Sequence, residues 1–159
     1  FDVVTSFRGI WGANDQAVME VGRVLKPGGT FAVTFLPMDE PAPFDEWWVS
    51  IAKVSDHEKE VGQILGSIGS EGRVEEMCEA AGMVPGERQR IRFEFEGGPE
   101  VEDFVRASLS AGPTFVAVQE RGQADVEDAL RRGFEPLWDE AIGLRIGIVV
   151  EYLVATKLA

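Results

Sequence analysis

Two side chains that carry much of protein chemistry are almost missing from this sequence. It has one cysteine, Cys78, and one histidine, His57. A lone cysteine closes no internal disulfide, so a disulfide scaffold is excluded and the cytoplasm is the expected location. One Cys and one His cannot assemble a zinc site between them. Cations are scarce as well: 15 Lys and Arg stand against 28 Asp and Glu, for a net charge of −13. Binding along nucleic acid needs clustered Lys and Arg, so no nucleic-acid partner is expected. No apolar run reaches the roughly 20 residues of a membrane span, so no membrane partner is expected either. The longest runs, 31–37 and 146–155, have the length of strands. There is no P-loop, nucleophile elbow or Ser-His-Asp cue, and no internal repeat or heptad pattern. An opening Met and a signal peptide are lacking too. The sequence starts inside what reads as a buried strand, and on that ground it reads as a piece of a longer chain.

What is present describes an ordinary globular domain: 159 residues, 45% hydrophobic and 27% charged, enough chain to bury a sizeable core. Phe1–Ser6 is a short apolar run of the kind found in central strands. A loop, Arg8–Gly12, follows, and Asn14 or Asp15 offers an N-cap oxygen. Val18, Val21, Val24 and Leu25 then recur at helical spacing. Lys26-Pro27-Gly28-Gly29 stops the helix, because Pro27 cannot continue it and a glycine suits a left-handed cap. Thr30–Phe35 is a second strand. A helix between two mostly apolar strands predicts a βαβ unit with parallel strands.

Beyond residue 36 the pattern loosens. Residues 37–69 carry three prolines, an aromatic cluster of Phe44, Trp47 and Trp48, and many acids. Short helices are expected over 44–54 and 56–65, then a turn over 66–72 with Ser67 or Ser70 as cap. Residues 73–81 form a helix with Val74, Met77, Cys78 and Ala81 on one face, ended by Gly82. Residues 87–95 alternate as a strand, with Ile91, Phe93 and Phe95 on one face. Gly97-Gly98-Pro99 turns into a helix over 100–110, Gly112-Pro113 starts another, and 124–138 continues the helical stretch. Residues 146–156 are a last, β-branched strand. The expected organisation is therefore one partial domain: a βαβ core over 1–36, a lid or loop over 37–69, a helix and strand over 70–96, a helical insertion over 97–145 and the last strand over 146–159.

The order Phe1-Asp2-Val3-Val4, then Arg23-Val24-Leu25-Lys26-Pro27-Gly28-Gly29, then Thr30-Phe31-Ala32-Val33 resembles the middle of class I S-adenosylmethionine-dependent methyltransferases. In particular it is similar to the small-molecule branch that includes ubiquinone and menaquinone biosynthesis enzymes. The helix ending Ala80-Ala81-Gly82-Met83 also looks like this family, and Ala111-Gly112-Pro113 resembles its lid region. The resemblance implies an α/β fold: the second half of a Rossmann-like methyltransferase sheet, four strands of a usual seven, with a helical lid insertion and an antiparallel last strand. It implies S-adenosylmethionine as cofactor and methyl transfer to a small-molecule acceptor, as part of a longer chain. One departure is large. The family's glycine-rich loop and the acid that holds the cofactor ribose belong to its amino-terminal half, and this sequence contains no Gly-x-Gly. These 159 residues alone are therefore expected to bind the cofactor weakly or not at all.

Ligands of open α/β sheets bind outside the carboxyl ends of the strands. Ser6, Phe7 and Arg8 sit where the first strand ends, and the resemblance makes them, with Gly9, the candidate cofactor contacts. The plain alternative is a strand-to-loop transition. Trp11 either walls the pocket or covers the helix start. Phe44, Trp47 and Trp48 either close an apolar substrate pocket or bury the face of their own helix. His57 is a candidate base in that pocket, although between Asp56 and Glu58 it also reads as a solvated side chain. Cys78 reads as core. No metal site is expected and no catalytic residue stands out. Methyl transfer from a sulfonium needs alignment and exclusion of water rather than a strong catalytic group. The reading from another class is a truncated, non-catalytic α/β interaction or dimerisation module. In either case a strand with Val3 and Val4 and nothing to blunt its outer edge invites pairing. A homodimer, or a complex with a missing amino-terminal half, is expected, with residues 1–12 at the contact.

Overall fold

The computed structural model describes residues 1–10, 14–40, 68–96 and 100–159. The helices expected over 44–54 and 56–65 and the turn at 97–99 lie outside the described residues. The chain divides into two compact units.

In the first unit, β1 (Val3–Phe7) and β2 (Thr30–Phe35) run parallel, with Val3 beside Thr30 and Phe7 beside Thr34. The crossover is α1 (Asp15–Val24), so the expected βαβ unit is present. Its N-cap is Asn14, whose Oδ1 accepts the Ala17 N–H at 3.2 Å. Gly28 takes φ +78°, the left-handed conformation expected of the turn. Its N–H donates to the Lys157 carbonyl at 2.9 Å, and the Lys157 N–H donates to Gly29 at 2.8 Å, which ties the turn to the last strand. The second helix, α2 (Arg73–Ala80), buries Val74, Met77 and Cys78, with Ala81 at its end. Its N-cap is Gly72 without a side-chain cap, so the expected cap at Ser70 is not found, although the Ser70 main-chain oxygen accepts the Arg73 N–H at 3.1 Å; Ser67 lies outside the described residues. Helices α1 and α2 pack together, and Gly22 makes the approach possible. A Cβ at Gly22 would lie 2.3 Å from the Ala81 carbonyl oxygen.

The sheet continues through the last strand. We number β3 (Met83–Pro85), β4 (Gln89–Glu96), β5 (Trp138–Asp139) and β6 (Gly143–Lys157). The order is β1-β2-β6-β3, with β4 and β5 also paired to β6. β6 is antiparallel to β2, as the resemblance implied, with Thr156 opposite Thr30 and Tyr152 opposite Thr34. The strand expected over 87–95 appears as β4, and it is preceded by a separate β3 that the sequence pattern did not announce. Pro85 lacks an N–H and ends β3, after which the Gly86 N–H donates to Val154 at 2.8 Å. Alternation sends Phe31, Val33, Phe35, Met83, Leu153 and Ala155 to one face, where they form a core with Val18, Leu25, Val74, Met77 and Cys78 of the helical side. Val3, Phe7, Val84 and Val154 remain exposed.

The second unit contains α3 (Val101–Ser108), α4 (Gly112–Arg121) and α5 (Gln123–Phe134). Helix α5 packs against both of the others, and Val105, Ala117, Val126, Leu130 and Phe134 are buried. The Phe104 ring meets Phe134 edge-on at 4.7 Å. The helix expected to run to Trp138 stops at Phe134. A 3₁₀ turn (Glu135–Leu137) follows at Pro136, and Trp138 instead pairs with Leu144 of β6. Among the described residues no helix is long and apolar enough to cross a membrane.

Candidate functional site

Because β1 and β2 are parallel, their carboxyl ends open on the same edge of the sheet. Chain direction changes abruptly at the end of β1. Arg8 has φ +52°, and it is the one non-glycine residue among those described with positive φ. The left-handed region costs an ordinary L-residue roughly 1 kcal/mol or more, so something must hold it there. Thr34, at the end of β2, supplies that hold: the Arg8 N–H donates to its Oγ1 at 3.0 Å and to its carbonyl at 3.3 Å. Ser6 is half-buried on the helical side, Phe7 is 74% exposed, and Gly9 is exposed with Ser6 Oγ as its near neighbour. Ile10 then returns to the core. The four predicted cofactor contacts thus lie on one turn at the carboxyl edge, with Phe7 and Gly9 exposed and Ser6 and Arg8 half-buried. Trp11, Phe44, Trp47, Trp48 and His57 lie outside the described residues.

The same edge carries a network that the sequence reading missed. Past the end of β2, Asp39 and Glu40 face a ladder of arginines, Arg88, Arg90 and Arg92, two residues apart as a strand requires. Glu151 of β6 lies at its centre, only 4% exposed. Its carboxylate accepts from Arg88 at 3.0 Å and from Arg90 at 2.6 and 3.0 Å. Arg88 also donates to Glu75 at 2.7 and 3.0 Å and to the carbonyls of Gly69 and Ser70, and its guanidinium lies 4.9 Å from the centre of the Phe35 ring. Arg90 reaches Asp39 at 2.9 Å, and Arg92 pairs with Glu40. A cavity of about 680 Å³ opens among Met38, Asp39, Ser70, Glu71, Arg90 and Glu151.

The electrostatics follow from these pairs. The hydrogen bond from Arg90 holds the Asp39 carboxyl below its ordinary value, and Arg92 does the same for Glu40. Burial alone would raise Glu75, but the Arg88 hydrogen bond and charge, with a backbone hydrogen bond, outweigh it and leave the group lowered. Burial, reinforced by Glu75 and Glu79, pushes the Cys78 thiol up to about 11, so it is a core thiol and not a nucleophile. Among the described residues no group of three or more His, Cys, Asp or Glu could hold a metal ion.

Two sequence signals could have revealed the ladder. Arginines at 88, 90 and 92 share the period of a strand, and Glu151 is the single acid within the apolar stretch 146–155. A carboxylate in a buried strand demands a cation.

No protein-family model matches the sequence, and no curated protein matches it. Solved structures do. A Bacillus halodurans protein assigned as a methyltransferase superposes with a TM-score of 0.54 at 18% identity, covering 100% of this chain and 65% of that one. The YcgJ protein from Bacillus subtilis also gives 0.54 at 18% identity, covering 100% of this chain and 64% of that one. The fold is that of a class I methyltransferase. The chain spans slightly less than two thirds of the length of these structures, and at this identity the likeness speaks for the fold alone.

Proposed function

We propose that this chain is part of an S-adenosylmethionine-dependent methyltransferase acting on a small molecule in the cytoplasm. The observation that carries the reading is the turn at Ser6–Gly9. It is a turn with a left-handed arginine, at the carboxyl edge of a parallel pair, in a chain with the class I fold. In such sheets this edge is where ligands bind.

The residues present fit one side of the cofactor. Gly9 has no side chain and Phe7 is turned out to solvent, which supports a place for the methionine part of a ligand at this turn. The sequence contains no Gly-x-Gly, and the reading therefore includes additional polypeptide that supplies the rest of the cradle. When bound, S-adenosylmethionine supplies a methyl carbon already activated by its sulfonium. The chain's own task is then to fix the turn through Thr34, to keep the cavity edge in place through the arginine ladder, and to exclude water. Trp11, Phe44, Trp47, Trp48 and His57 are proposed to line the acceptor side.

A chimera joining this chain to the part of the YcgJ protein that it does not match tests the reading by calorimetry. The chimera is expected to bind S-adenosylmethionine at micromolar concentration and the 159-residue chain alone to give no heat. Gly9→Val in the chimera should weaken binding at least tenfold without shifting Tm. A folded chimera that takes up no cofactor overturns the proposal.

A further inference from the structure

The cavity beside the arginine ladder has a charge pattern that bears on its occupant. Six of its lining side chains are charged: Asp39, Glu71, Glu75 and Glu151 against Arg88 and Arg90. Both arginines are committed to carboxylates. Arg88 donates to Glu75 and Glu151, and Arg90 donates to Glu151, Asp39 and Glu40. Glu151 is buried, whereas Asp39 and Glu71 are exposed, so carboxylates run from the interior of the cavity to its mouth. The strand register fixes where this lies relative to the turn at Ser6–Gly9. Ser6 stands opposite Val33, and Phe35 stands opposite Glu151. Residues opposite one another share a face, and so do residues two apart on a strand. Ser6 and Glu151 are therefore on the same face of the sheet, roughly 10 Å apart across the strands and roughly 7 Å along them.

A buried ion pair does little for stability, because the cost of desolvation offsets much of the attraction. Charged groups gathered at a cleft are better explained by binding. The volume of about 680 Å³ suits a small molecule, since such sites run from roughly 300 to 1,000 Å³. Its charge decides the kind of molecule. The four carboxylates exceed the two guanidiniums by two charges, and both guanidiniums already hold carboxylates. A ligand anion has to displace one of these partners. A ligand cation has to displace nothing, because a carboxylate accepts several hydrogen bonds at once and two of the carboxylates stand exposed. An ammonium group with its three donors is the compact cation that meets two such acceptors.

We propose that this cavity takes a methyl acceptor that carries a protonated amine, with Asp39 and Glu71 holding the ammonium and the Arg88–Glu151–Arg90 network keeping the cavity wall in place. An ammonium nitrogen has no lone pair to attack a methyl carbon. The held nitrogen is therefore an anchor, and the methyl goes to another atom of the same molecule. The acceptor role rests on the methyl-transfer reading; the binding of the cation does not.

Three molecules of equal length and different charge test the proposal: diaminobutane, butanediol and butanedioate, each titrated by calorimetry into the 159-residue chain at neutral pH. Diaminobutane is expected to bind at least tenfold more tightly than either of the others. Glu71→Gln and Asp39→Asn should each weaken it at least tenfold. Glu71 is exposed, so Glu71→Gln should leave Tm unchanged and its loss of binding is not a loss of fold. Glu127→Gln, on α5 and away from the cavity, should change binding less than twofold. Butanedioate binding as tightly as diaminobutane overturns the proposal and makes the arginines the recognition groups. An equal loss in Glu127→Gln also overturns it, by assigning the binding to general attraction toward a chain of net charge −13. So does diaminobutane that gives no heat with either the chain or the chimera. A chimera that binds diaminobutane but no S-adenosylmethionine keeps the cation site and overturns its role as the acceptor site, which separates failure of the methyl-transfer reading from failure of the site.

Discussion

The two faces of the β1-β2-β6-β3 sheet come from the same strands, yet they differ in residue size and in surroundings. The face under α1 and α2 carries Phe31, Val33, Phe35, Met83 and Leu153, each at most 2% exposed. The other carries Val3, Thr5, Val84, Val154 and Thr156, which are exposed, and Thr30, Ala32 and Thr34, which are half-buried. Burial energy scales with apolar area removed from water, so nearly all of this unit's hydrophobic stabilisation comes from the helical face. The open face is compatible with folding but does not drive it. Substitutions should therefore act asymmetrically, and they offer ways to break the contrast.

The largest effect is expected at Gly22. Placing Ala in a helix is ordinarily favourable by roughly 1 kcal/mol, but here the added Cβ would meet a backbone oxygen at 2.3 Å. That oxygen cannot move without shifting α2. Gly22→Val should cost on the order of 4 kcal/mol or prevent folding, as overpacking in a rigid contact does. Urea denaturation measures this directly. A midpoint within experimental error of the parent would mean that α1 and α2 do not pack as described.

Next comes Glu151, which marks the end of the helical face beneath the arginine ladder. Its carboxylate sits between two guanidiniums. Glu151→Gln keeps the shape but leaves Arg88 and Arg90 without their shared charge. Removing one partner of a buried pair costs on the order of 3 kcal/mol. If Glu151→Gln and Val154→Thr shift the urea midpoint equally, the network contributes nothing and the ladder is only a surface feature.

Much of this contrast was legible in the sequence, and what was hidden has physical causes. The βαβ unit announced itself because its signals are local: Asn14 as cap, valines at helical spacing, Pro27 and Gly28 as stop. β2 fell on the expected residues for the same reason. The antiparallel β6 came from the family likeness, not from its residues, since an apolar run has no visible direction. β3 escaped notice because three residues around a proline carry no periodicity. The ladder escaped because Arg88, Arg90 and Glu151 are 63 and 61 residues apart, and pairing at that range is set by the sheet register. Which face the helices would leave open also depends on the crossover geometry, and alternation alone does not reveal it.

Acid should loosen the ladder more gradually. Glu75, Asp39 and Glu40 have folded-state values below their ordinary ones of 4.5, 3.8 and 4.5. A depressed carboxylate contributes stability that is fully present above the ordinary value and is lost as pH falls through the lowered one. Urea midpoints should therefore be flat from pH 7 to about 5 and fall below about pH 4. Asp39 and Glu40 are exposed, so most of the change should come from Glu75, and Glu75→Gln should flatten the acid limb. An unchanged limb in that variant would assign the acid sensitivity elsewhere. None of the residues named on the open face is an acid, so substitutions there should leave the pH profile as it is.

The smallest effect tests the open face itself. Val154 and Val33 have the same side chain and lie in adjacent paired strands, but Val154 is 42% exposed and Val33 1%. Valine and threonine have nearly the same shape, so replacing either by Thr isolates the price of a hydroxyl. At Val33 the hydroxyl would enter the core among Phe31, Phe35 and Leu153, and an unpaired buried hydroxyl costs roughly 1–3 kcal/mol. At Val154 water supplies the missing hydrogen bond, and the change should stay within about 0.5 kcal/mol. The ratio of the two urea-midpoint shifts therefore reports how dry each face is in solution. Measured at low micromolar concentration, the 159-residue chain should show a clear shift for Val33→Thr and almost none for Val154→Thr. If Val154→Thr costs as much as Val33→Thr, the open face is already covered in solution. If that cost disappears on dilution, the cover is a second copy of the chain.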